Sequence, residues 1–572
     1  MNQGIKLSYS ISNFKDLVKQ GYYYVDKTPY IEQLENMAKK YFFFLRPRRF
    51  GKSLFISMLH HYYGLEHKDT FQELFGNYYI GKHPTPMASK YLVLRFEFTQ
   101  IDTSSAESTL EGFLRKVREG ISRFCTAYPQ FFTTEEQKEI TEKTYPAHLM
   151  SSLLILIKEK APDHKVYILV DEYDHFANEL IAFDLENFKD IVSKKGFVRK
   201  FYEAIKEGTY FGTVDRFFST GITPITLDSM TSGFNIATNL SLDLNMTELM
   251  GFTEDTVKEL FELAIPNKKE DVEELLPLMK DWYNGYKLNH RAKNRLFNPN
   301  MVLYFIAYYQ AYGELPEEML DTNIASDYHK VRRLMNVATP KENHQTLDKI
   351  IEEGELEGLI TQQFSFAKIF TQHDFMSLLF YNGFLTIDYA LGNIIYFRVP
   401  NYVIQKLYFD YFREVLQENK MVDVNTGLIT SAIASMAFKG NPQAFFDLIH
   451  STLHQLANRD YQKFDEKYVK IIMITYMMLT NTFFIESERE TPAGYLDLSF
   501  LESPNIPIQH QYIFELKYLK KEDAKQLKAK QKEAKKQLLE YVAESAKLNK
   551  MSNLQAWTVV VVKDELNVER VR

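Results

Sequence analysis

The residues Gly51, Lys52 and Ser53 have the types and order that suit phosphate binding. They follow the apolar run YFFFL at 41–45 and open an amphipathic stretch. A phosphate-binding loop needs this order, because backbone N–H groups at a helix N-terminus point at phosphate oxygens, a lysine reaches the terminal phosphates and a hydroxyl binds Mg²⁺. We therefore predict an ATP site with Ser53 on the metal. The residues predicted to contact the nucleotide here are Arg48, Arg49, Phe50, Gly51, Lys52, Ser53 and Leu54.

A second acidic motif supports the same chemistry. Asp171 and Glu172 come directly after the apolar run KVYILV at 165–170. In that position an aspartate completes the Mg²⁺ shell and a glutamate polarises the attacking water, so we predict Asp171 as a cofactor and metal ligand and Glu172 as catalytic. Thr220 and Thr223, near the end of the run RFFSTGI, are alternative candidates for a polar sensor. The candidates for the arginine that hydrolysis requires are Arg48, Arg49 and Arg216.

The loop departs from the general GxxxxGK[ST] pattern in one respect. Arg46 stands where that pattern has its first glycine, and Pro47 restricts the loop further. The alternative interpretation makes Gly51 an ordinary turn glycine, Lys52 a solvated lysine and the acidic pair a helix cap. Two motifs, each in the order strand then loop, favour the nucleotide site.

A group of carboxylates and a lysine near the C-terminus suits a different reaction. Glu515 and Lys517 are two residues apart in QYIFELKYL, so their side chains project from one face of a strand, and Asp497 lies in the preceding run GYLDL. We predict that Asp497 and Glu515 bind Mg²⁺ and that Lys517 orients a water for attack on a phosphodiester. The alternative is an exposed Glu-Lys pair on an edge strand. Further candidates around this group are Glu466, Glu488 and Gln537.

A lysine-rich segment follows this group. Eleven lysines lie between Lys517 and Lys550, most of them in a predicted helix at about 520–548. Lysines beside a cleavage site contact phosphates, which predicts nucleic acid, DNA in preference to RNA, as a partner. The alternative is a solvated helix face.

These residues require two α/β regions to position them. In the first 240 residues apolar runs alternate with helical patterns, which is typical of a parallel sheet buried on both faces. A helix, a hairpin around Gly392-Asn393 and a second helix then predict a winged-helix-like module. Three strands, the charged helix and a last strand, WTVVVV, form a second α/β region. The predicted domains are a P-loop domain at 1–246, a helical lid or connector at 247–344, the winged-helix-like module at 345–415, a helical linker at 416–455 and a nuclease-like domain at 456–572.

Composition excludes several classes of protein. The chain has 572 residues, 45% of them hydrophobic, and a net charge of −7, so it is neither a disordered protein nor a globally basic nucleic-acid binder. With Cys125 as the only cysteine, disulfides and cysteine-based zinc sites are ruled out, and a reducing cytoplasm is expected. No apolar run predicts a membrane span. The 14 histidines show no paired metal-ligand spacing such as HExxH, so we expect no zinc site.

The chain resembles the bacterial AAA-ATPase-like proteins that carry a C-terminal PD-(D/E)XK nuclease-like domain. The segments that carry the resemblance are YYYVDKTPYIEQLE, FFLRPRRFGKSLFISMLHHYY, ILVDEYD, FSTGITPI, GFTEDTV, WYNGYKL, LLFYNGFLTI, RVPN, ESERETPAGYLDL, IFELKYL and AKKQLLEY. The resemblance implies an archaeal-ATPase or STAND-like P-loop domain, a helical and winged-helix middle, and a restriction-endonuclease-like end. It also implies that RPRRFGK is the family's own loop form. Tyr495 stands where family members tend to have an arginine.

The leading hypothesis is a Mg-ATP-binding and hydrolysing protein whose nucleotide state controls a metal-dependent, nuclease-like domain. The rival is a non-catalytic signalling or regulatory switch that uses the winged-helix and nuclease-like domains to bind partners. The sequence has no heptad seam that decides whether the chain forms oligomers.

Overall fold

The computed structural model describes residues 4–183, 196–225, 234–266, 269–320, 332, 334–337, 340–364, 370–418, 426–457, 466–480, 482–491, 494–503 and 506–572. The chain divides into two compact units. Unit 1 comprises Met1–Glu314 with Arg332–Tyr402, and unit 2 comprises Leu315–Val331 with Val403–Arg572. The multidomain α/β organisation predicted from the sequence is confirmed, whereas the five domain boundaries stay predictions.

The main sheet of unit 1 is parallel and has the strand order β2-β3-β4-β1-β5. Its strands are β1 (Tyr41–Leu45), β2 (Tyr91–Glu97), β3 (Lys165–Asp171), β4 (Val214–Gly221) and β5 (Thr238–Asn239). The first four strands coincide with apolar runs of the sequence, because side chains on both faces of a strand that helices cover are buried and therefore mostly apolar. The carboxyl ends of β1, β3 and β4 lie at one edge of the sheet. The phosphate-binding motif after β1 and the acidic motif at the end of β3 are therefore close together.

Helices surround and follow this sheet. The helix that begins at Lys52, called the P-loop helix below, spans Lys52–Tyr63. The other helices of unit 1 are Phe14–Lys19, Pro29–Asn36, Phe71–Phe75, Tyr79–Lys82, Ala106–Ala127, Thr134–Thr141, Pro146–Lys160, His175–Phe183, Phe197–Tyr210, Glu254–Ala264, Lys269–Tyr283, Pro299–Tyr312, Pro340–Glu353 and Gln372–Asn382.

Unit 1 also contains a small antiparallel sheet of three strands. The predicted hairpin forms from β7 (Thr386–Leu391) and β8 (Ile394–Arg398), preceded by the helix Gln372–Asn382 and followed by a helix at Tyr402–Glu418. A third strand, β6 (Glu355–Gly358), pairs with β8 and was not predicted. The order helix, hairpin, helix agrees with the sequence, and the winged-helix assignment stays a prediction.

Unit 2 contains a mixed sheet of five strands in the order β13-β12-β11-β10-β9. The strands are β9 (Phe483–Thr491), β10 (Gly494–Glu502), β11 (Gln511–Leu519), β12 (Leu554–Val562) and β13 (Glu565–Arg570). The helices of this unit are Thr426–Lys439, Gln443–Ala457, Glu466–Met477, Leu527–Glu544 and Ala546–Lys550. Leu538 and Tyr541 of the lysine-rich helix (Leu527–Glu544) pack in one core cluster with Leu496 and Ile513 of the sheet. Within the described residues, no helix has the length and apolar character that crossing a membrane requires.

Candidate active sites

The loop between β1 and the P-loop helix has the geometry of an anion-binding turn. Arg49 and Gly51 both adopt left-handed backbone conformations, with φ of 68° and 93°. Gly51 is the N-cap of the P-loop helix and makes no side-chain cap hydrogen bond, and the first backbone N–H groups of a helix have no acceptor within the helix and can bind an anion. The predicted loop residues, 48–54, therefore lie on one loop and the first helical turn.

Lys52 is folded back onto this loop. Its ammonium donates to the carbonyl oxygens of Arg46 and Pro47, each at 3.0 Å. Burial lowers the pKa of Lys52, and the negative charges of Glu172 and Asp171 oppose that shift. A buried ammonium with carbonyl partners and nearby carboxylates is a cation positioned for a phosphate group.

Arg46 explains why this loop has no glycine at its first position. The side chain is 1% exposed, lies over the Phe44 ring, and donates to the carbonyl oxygens of four residues. These acceptors are Leu45, Ser241, Met246 and Thr247, at 2.8 to 3.2 Å. Arg46 thus anchors the loop to the segment after β5, a role that sequence reasoning missed because three of the four acceptors are backbone atoms about 200 positions away.

Asp171 lies where the acidic motif predicts, at the end of β3. It is 2% exposed, and Thr220 Oγ1 donates to its Oδ1 at 2.7 Å. Thr220 makes this contact because β4 lies between β1 and β3 in the sheet. Of the two candidate sensors, Thr220 touches Asp171, the predicted metal ligand, whereas the hydroxyl of Thr223 lies within hydrogen-bond distance of Asp174 and Asn178.

Glu172 lies beside Asp171 on the partly exposed side of the edge. Its backbone is left-handed, with φ of 49°, and its carboxylate oxygen is 3.3 Å from Nδ1 of His175. A non-glycine residue in this conformation is uncommon and is found where the surroundings enforce it.

Asp174 is a structural residue of the same edge that sequence reasoning missed. It is 1% exposed and accepts hydrogen bonds from the backbone N–H groups of Ile222 and Thr223 and from the Asn178 amide. A Cβ added to Gly221 would lie 2.4 Å from Asp174 Oδ1, so only glycine fits there. The third acid of DEYD, three residues after Asp171, is the signal that was available.

Arg216 lies at the edge of the sheet opposite the predicted nucleotide loop. It lies near the start of β4, where its neighbour Phe217 pairs with Tyr41, the first residue of β1. The nucleotide loop follows the last residue of β1, so Arg216 is at the opposite edge. Arg48 and Arg49, on the loop itself, remain the candidates.

The predicted carboxylates and lysine of unit 2 converge. Lys517 Nζ donates to Glu515 Oε1 at 2.9 Å, as expected for neighbours on one face of β11. The antiparallel pairing of β10 with β11 is recorded from Leu498 and Phe514 onwards, and the same register places Asp497 opposite Glu515. Asp497 Oδ2 accepts from the backbone N–H of Leu516 at 2.7 Å, which fixes this carboxylate at the point where the two strands separate.

Glu515 carries a buried oxygen that lacks a hydrogen-bond partner within the described part of the chain. The residue is 2% exposed, and Oε2 is the unpartnered atom. Burial raises the pKa of Glu515 to about 8, with further contributions from Asp497 and Glu466, while Lys517 opposes the shift. Burial alone would lower the pKa of Lys517, but the carboxylates outweigh it and raise that pKa to about 12.

This donor set fits a magnesium-class ion. Hard divalent cations prefer carboxylate oxygens, and an unpartnered buried oxygen opposite a second carboxylate is satisfied when a cation binds. Asp497 and Glu515 are the residues that would hold it. Gln537, on the lysine-rich helix, also has a buried side-chain oxygen without a hydrogen-bond partner among the described residues. Glu466 acts on Glu515 through its charge, whereas the side chains of Glu488 and Tyr495 lie outside the described residues.

The expectation that no histidines have metal-ligand spacing was wrong. His450 and His454 are four residues apart in the helix Gln443–Ala457, which places both rings on one face. Their ring centroids are 4.9 Å apart, and both rings lie beside Glu565. The pattern HxxxH was visible in the sequence, but the acidic partners come from a turn more than 100 positions later.

Comparison with known proteins assigns both regions. Residues 8–231 match the family described as predicted AAA-ATPase, and residues 464–571 match the PD-(D/E)XK nuclease superfamily. An uncharacterized protein of the vnfD 5′ region of Azotobacter chroococcum mcd 1 is 27% identical over 309 residues, or 51% of this chain. The match spans about half, 50%, of that relative's length. A Walker-type ATPase of Pyrococcus abyssi is 12% identical, with a TM-score of 0.38, over 71% of this chain and 99% of that one.

Proposed function

We propose that this chain, which joins a AAA-ATPase-like domain to a domain of the PD-(D/E)XK nuclease superfamily, binds and hydrolyses Mg-ATP and cleaves nucleic acid with a divalent metal. The proposal has two halves that rest on different residues. The observation that carries the cleavage half is the unpartnered buried oxygen of Glu515 beside Lys517.

The ATP half is supported by the groups at the carboxyl edge of the parallel sheet. Lys52 would exchange its two carbonyl partners for the β and γ phosphates, and Ser53 and Asp171 would hold Mg²⁺, which neutralises phosphate charge when it is bound. Thr220 keeps the Asp171 carboxylate oriented. Glu172 orients the attacking water, and the loop arginines, Arg48 and Arg49, approach the transferred phosphate.

ATP binding by the purified full chain tests this half. We expect a fluorescent ATP analogue to bind in the presence of Mg²⁺ and Lys52→Ala to weaken that binding at least tenfold. Lys138→Ala, at an exposed surface lysine, is the matched control and should bind as the wild type does. Equal affinity of Lys52→Ala and the wild type would disprove the nucleotide site.

The cleavage half follows from the geometry of β10 and β11. Asp497 and Glu515 would hold a Mg²⁺ ion, which when bound polarises the phosphodiester and lowers the pKa of a water. Lys517 orients that water toward phosphorus. The water loses a proton to solvent as its oxygen forms the new bond to phosphorus, the bond from phosphorus to the leaving sugar oxygen breaks, and solvent protonates the leaving oxygen. The exposed lysines of the neighbouring helix, such as Lys528 and Lys532, supply phosphate contacts.

Cleavage assays with single- and double-stranded DNA and RNA, with Mg²⁺ or Mn²⁺ and with or without ATP, test this half. We expect cleavage that chelation abolishes and that Lys517→Ala reduces by at least 100-fold. Lys530→Ala, on the lysine-rich helix, should retain most of the activity and serves as the matched control. Cleavage of none of these substrates, or full activity of Lys517→Ala, would contradict the proposal.

The rival function, a nucleotide-dependent switch without catalysis, is favoured by contacts inside unit 1. The nucleotide loop touches segments that lie near the small antiparallel sheet. The centroids of the Phe50 and Tyr286 rings are 5.1 Å apart, and the Asn298 amide donates to the carbonyl oxygen of Arg48 at 3.3 Å. A Cβ added to Gly383 would lie 2.9 Å from Pro47. A change in the conformation of the nucleotide loop on ATP binding would therefore move the segments around the small antiparallel sheet. The switch would be supported instead if cells carrying Lys517→Ala had the phenotype of the wild type, while cells carrying Lys52→Ala had the phenotype of a deletion.

A further inference from the structure

The helix Gln443–Ala457 presents two imidazoles to the last hairpin of unit 2. His450 and His454 lie one turn apart on it, and Phe446, one turn earlier, packs against Trp557 of β12 with ring centroids 5.2 Å apart. That packing holds the histidine face of the helix against the sheet. The two rings therefore meet the turn between β12 and β13 in a fixed geometry.

Asp564 of that turn and Glu565, the first residue of β13, complete the cluster. Glu565 Oε2 is 3.3 Å from His450 Nε2, and Glu565 Oε1 is 3.9 Å from His454 Nε2. The one-atom ligand sets of His450, His454 and Glu565 lie within 4.8 Å of one another. Ligand atoms about 2 Å from a common tetrahedral ion are about 3.3 Å apart, close to the two distances from Glu565, so small side-chain rotations would place the three groups around one ion.

Asp564 lies beside one imidazole. Its Oδ2 is 2.9 Å from His454 Nδ1, and since an ionised carboxylate only accepts, this position favours the tautomer with the hydrogen on Nδ1. In that tautomer the lone pair of His454 is on Nε2, the nitrogen that faces Glu565. A carboxylate on the far nitrogen of a histidine is the arrangement that orients metal-bound histidines in proteins.

His450 supplies a second sign of a ligand. Its Nε2 is buried and makes no hydrogen bond within the described residues, although it is close to Glu565. An imidazole nitrogen in this state is satisfied by a metal ion or by protonation. Within the described residues, Lys563 is the cationic side chain that pairs with this turn, and its ammonium is 3.9 Å from Asp564 Oδ1.

We propose that His450, His454 and Glu565 form a binding site for a divalent transition-metal ion of the zinc class, with Asp564 orienting His454. Two imidazole nitrogens and one carboxylate oxygen suit Zn²⁺ and its neighbours and do not suit Ca²⁺ or Mg²⁺, which prefer oxygen ligands. Three protein ligands leave the fourth position to water. The ion would join the helix Gln443–Ala457, which lies outside the 464–571 match, to the last hairpin of that domain.

Metal titration of the purified full chain, stripped with a chelator, tests the site. We expect Co²⁺ to give visible absorption bands that saturate at one ion per chain, and Zn²⁺ to displace it and to raise the thermal midpoint. His450→Gln and His454→Gln should each weaken Co²⁺ binding by at least 100-fold, and Asp564→Asn by about 10- to 100-fold. Glu565→Gln, at the exposed start of β13, provides a ligand variant with little risk to folding.

His60→Gln is the matched control, because His60, Glu66 and His67 form another cluster in the described chain. It should keep the Co²⁺ bands and the zinc-induced shift of the midpoint. Absence of Co²⁺ bands in the wild type, or bands lost in His60→Gln but kept in His454→Gln, would overturn the proposal. Protonated histidines paired with carboxylates, without metal affinity, would give the first of these results.

Discussion

The nucleotide loop of unit 1 and the carboxylate group of unit 2 differ in how their polar atoms are satisfied. In unit 1, Lys52 bonds two carbonyl oxygens of its own loop and Asp171 accepts from Thr220. In unit 2, one oxygen of Glu515 has no hydrogen-bond partner within the described residues. A site whose groups bond one another is formed before its ligand arrives, whereas an unpartnered buried carboxyl oxygen raises the free energy of the metal-free protein until a cation binds.

This difference separates the roles of the two acidic groups. The buried acids of unit 1 hold backbone: Asp174 ties the end of β4 to the turn after β3 through the N–H groups of Ile222 and Thr223. In the carboxylate group of unit 2, the backbone N–H of Leu516 donates to Asp497, whereas the described contact of Glu515 is with the side chain of Lys517. Replacing a carboxylate by an amide should therefore damage the fold in unit 1 and leave it nearly unchanged in unit 2.

The largest expected effect is that of Asp174→Asn. An amide cannot accept from all the donors that surround Asp174, so buried N–H groups would lose their partner, and we expect the free energy of unfolding to fall by about 2 to 4 kcal/mol. Urea unfolding measures this, with Asp163→Asn, at an exposed position, as the matched control. An Asp174→Asn variant as stable as that control would remove the structural role assigned to this acid.

Acid provides the second test, because the two units contain groups whose pKa values shift in opposite directions. Burial and the nearby His67 and His60 lower the pKa of His61, near the end of the P-loop helix, to about 3. The imidazole therefore takes up a proton near pH 6.5 in the unfolded chain but stays neutral in the folded chain. The contribution of His61 to the free energy of unfolding is complete above pH 6.5 and is lost as the pH falls toward about 3.

For His61 the expected loss between pH 7.5 and pH 5.0 is about 1 to 2 kcal/mol in the wild type. The His61→Gln variant should lose correspondingly less over the same interval, measured by urea unfolding at both pH values. His83→Gln, at an exposed histidine, should follow the wild type. If His61→Gln shows the full acid sensitivity of the wild type, the neutral buried imidazole is not its source.

The third prediction concerns Glu515→Gln, the counterpart of Asp174→Asn. Because the pKa of Glu515 is raised to about 8, the carboxyl of the metal-free protein is largely protonated at neutral pH and resembles an amide. We expect unfolding free energies within about 1 kcal/mol of each other in the presence of a chelator. Mg²⁺ should raise the thermal midpoint of the wild type and not that of the variant. A large loss in chelator would mean that Glu515 stabilises the fold, as Asp174 does.

The sequence was sufficient for the elements that are buried on both faces. YFFFL, KVYILV and QYIFELKYL became β1, β3 and β11 because continuous apolar runs have few other uses in an α/β fold. The strand β13, ELNVER, was missed because it lies at an edge of its sheet and has a polar composition.

Pairs of site residues close together in the chain were predictable, and contacts between distant segments were not. Glu515 and Lys517 meet because a strand repeats every two residues. Arg46 was only a departure from a pattern until its carbonyl acceptors after β5 were located. In the same way, His450 and His454 became a candidate site only through Asp564 and Glu565, which the turn after β12 brings to them.

The smallest expected effect is on nucleic-acid affinity at the lysine-rich helix. Tyr541 and Leu538 attach that helix to the sheet, while Lys528 and Lys532 are exposed, so a single Lys528→Ala substitution should leave stability unchanged. If the helix contacts phosphates, Lys528→Ala should reduce the slope of log affinity against log salt by about 1, for all sequences alike. Lys138→Ala, in unit 1, should leave the slope unchanged, and an unchanged slope in both variants would confine the nucleic-acid contacts to other residues of unit 2.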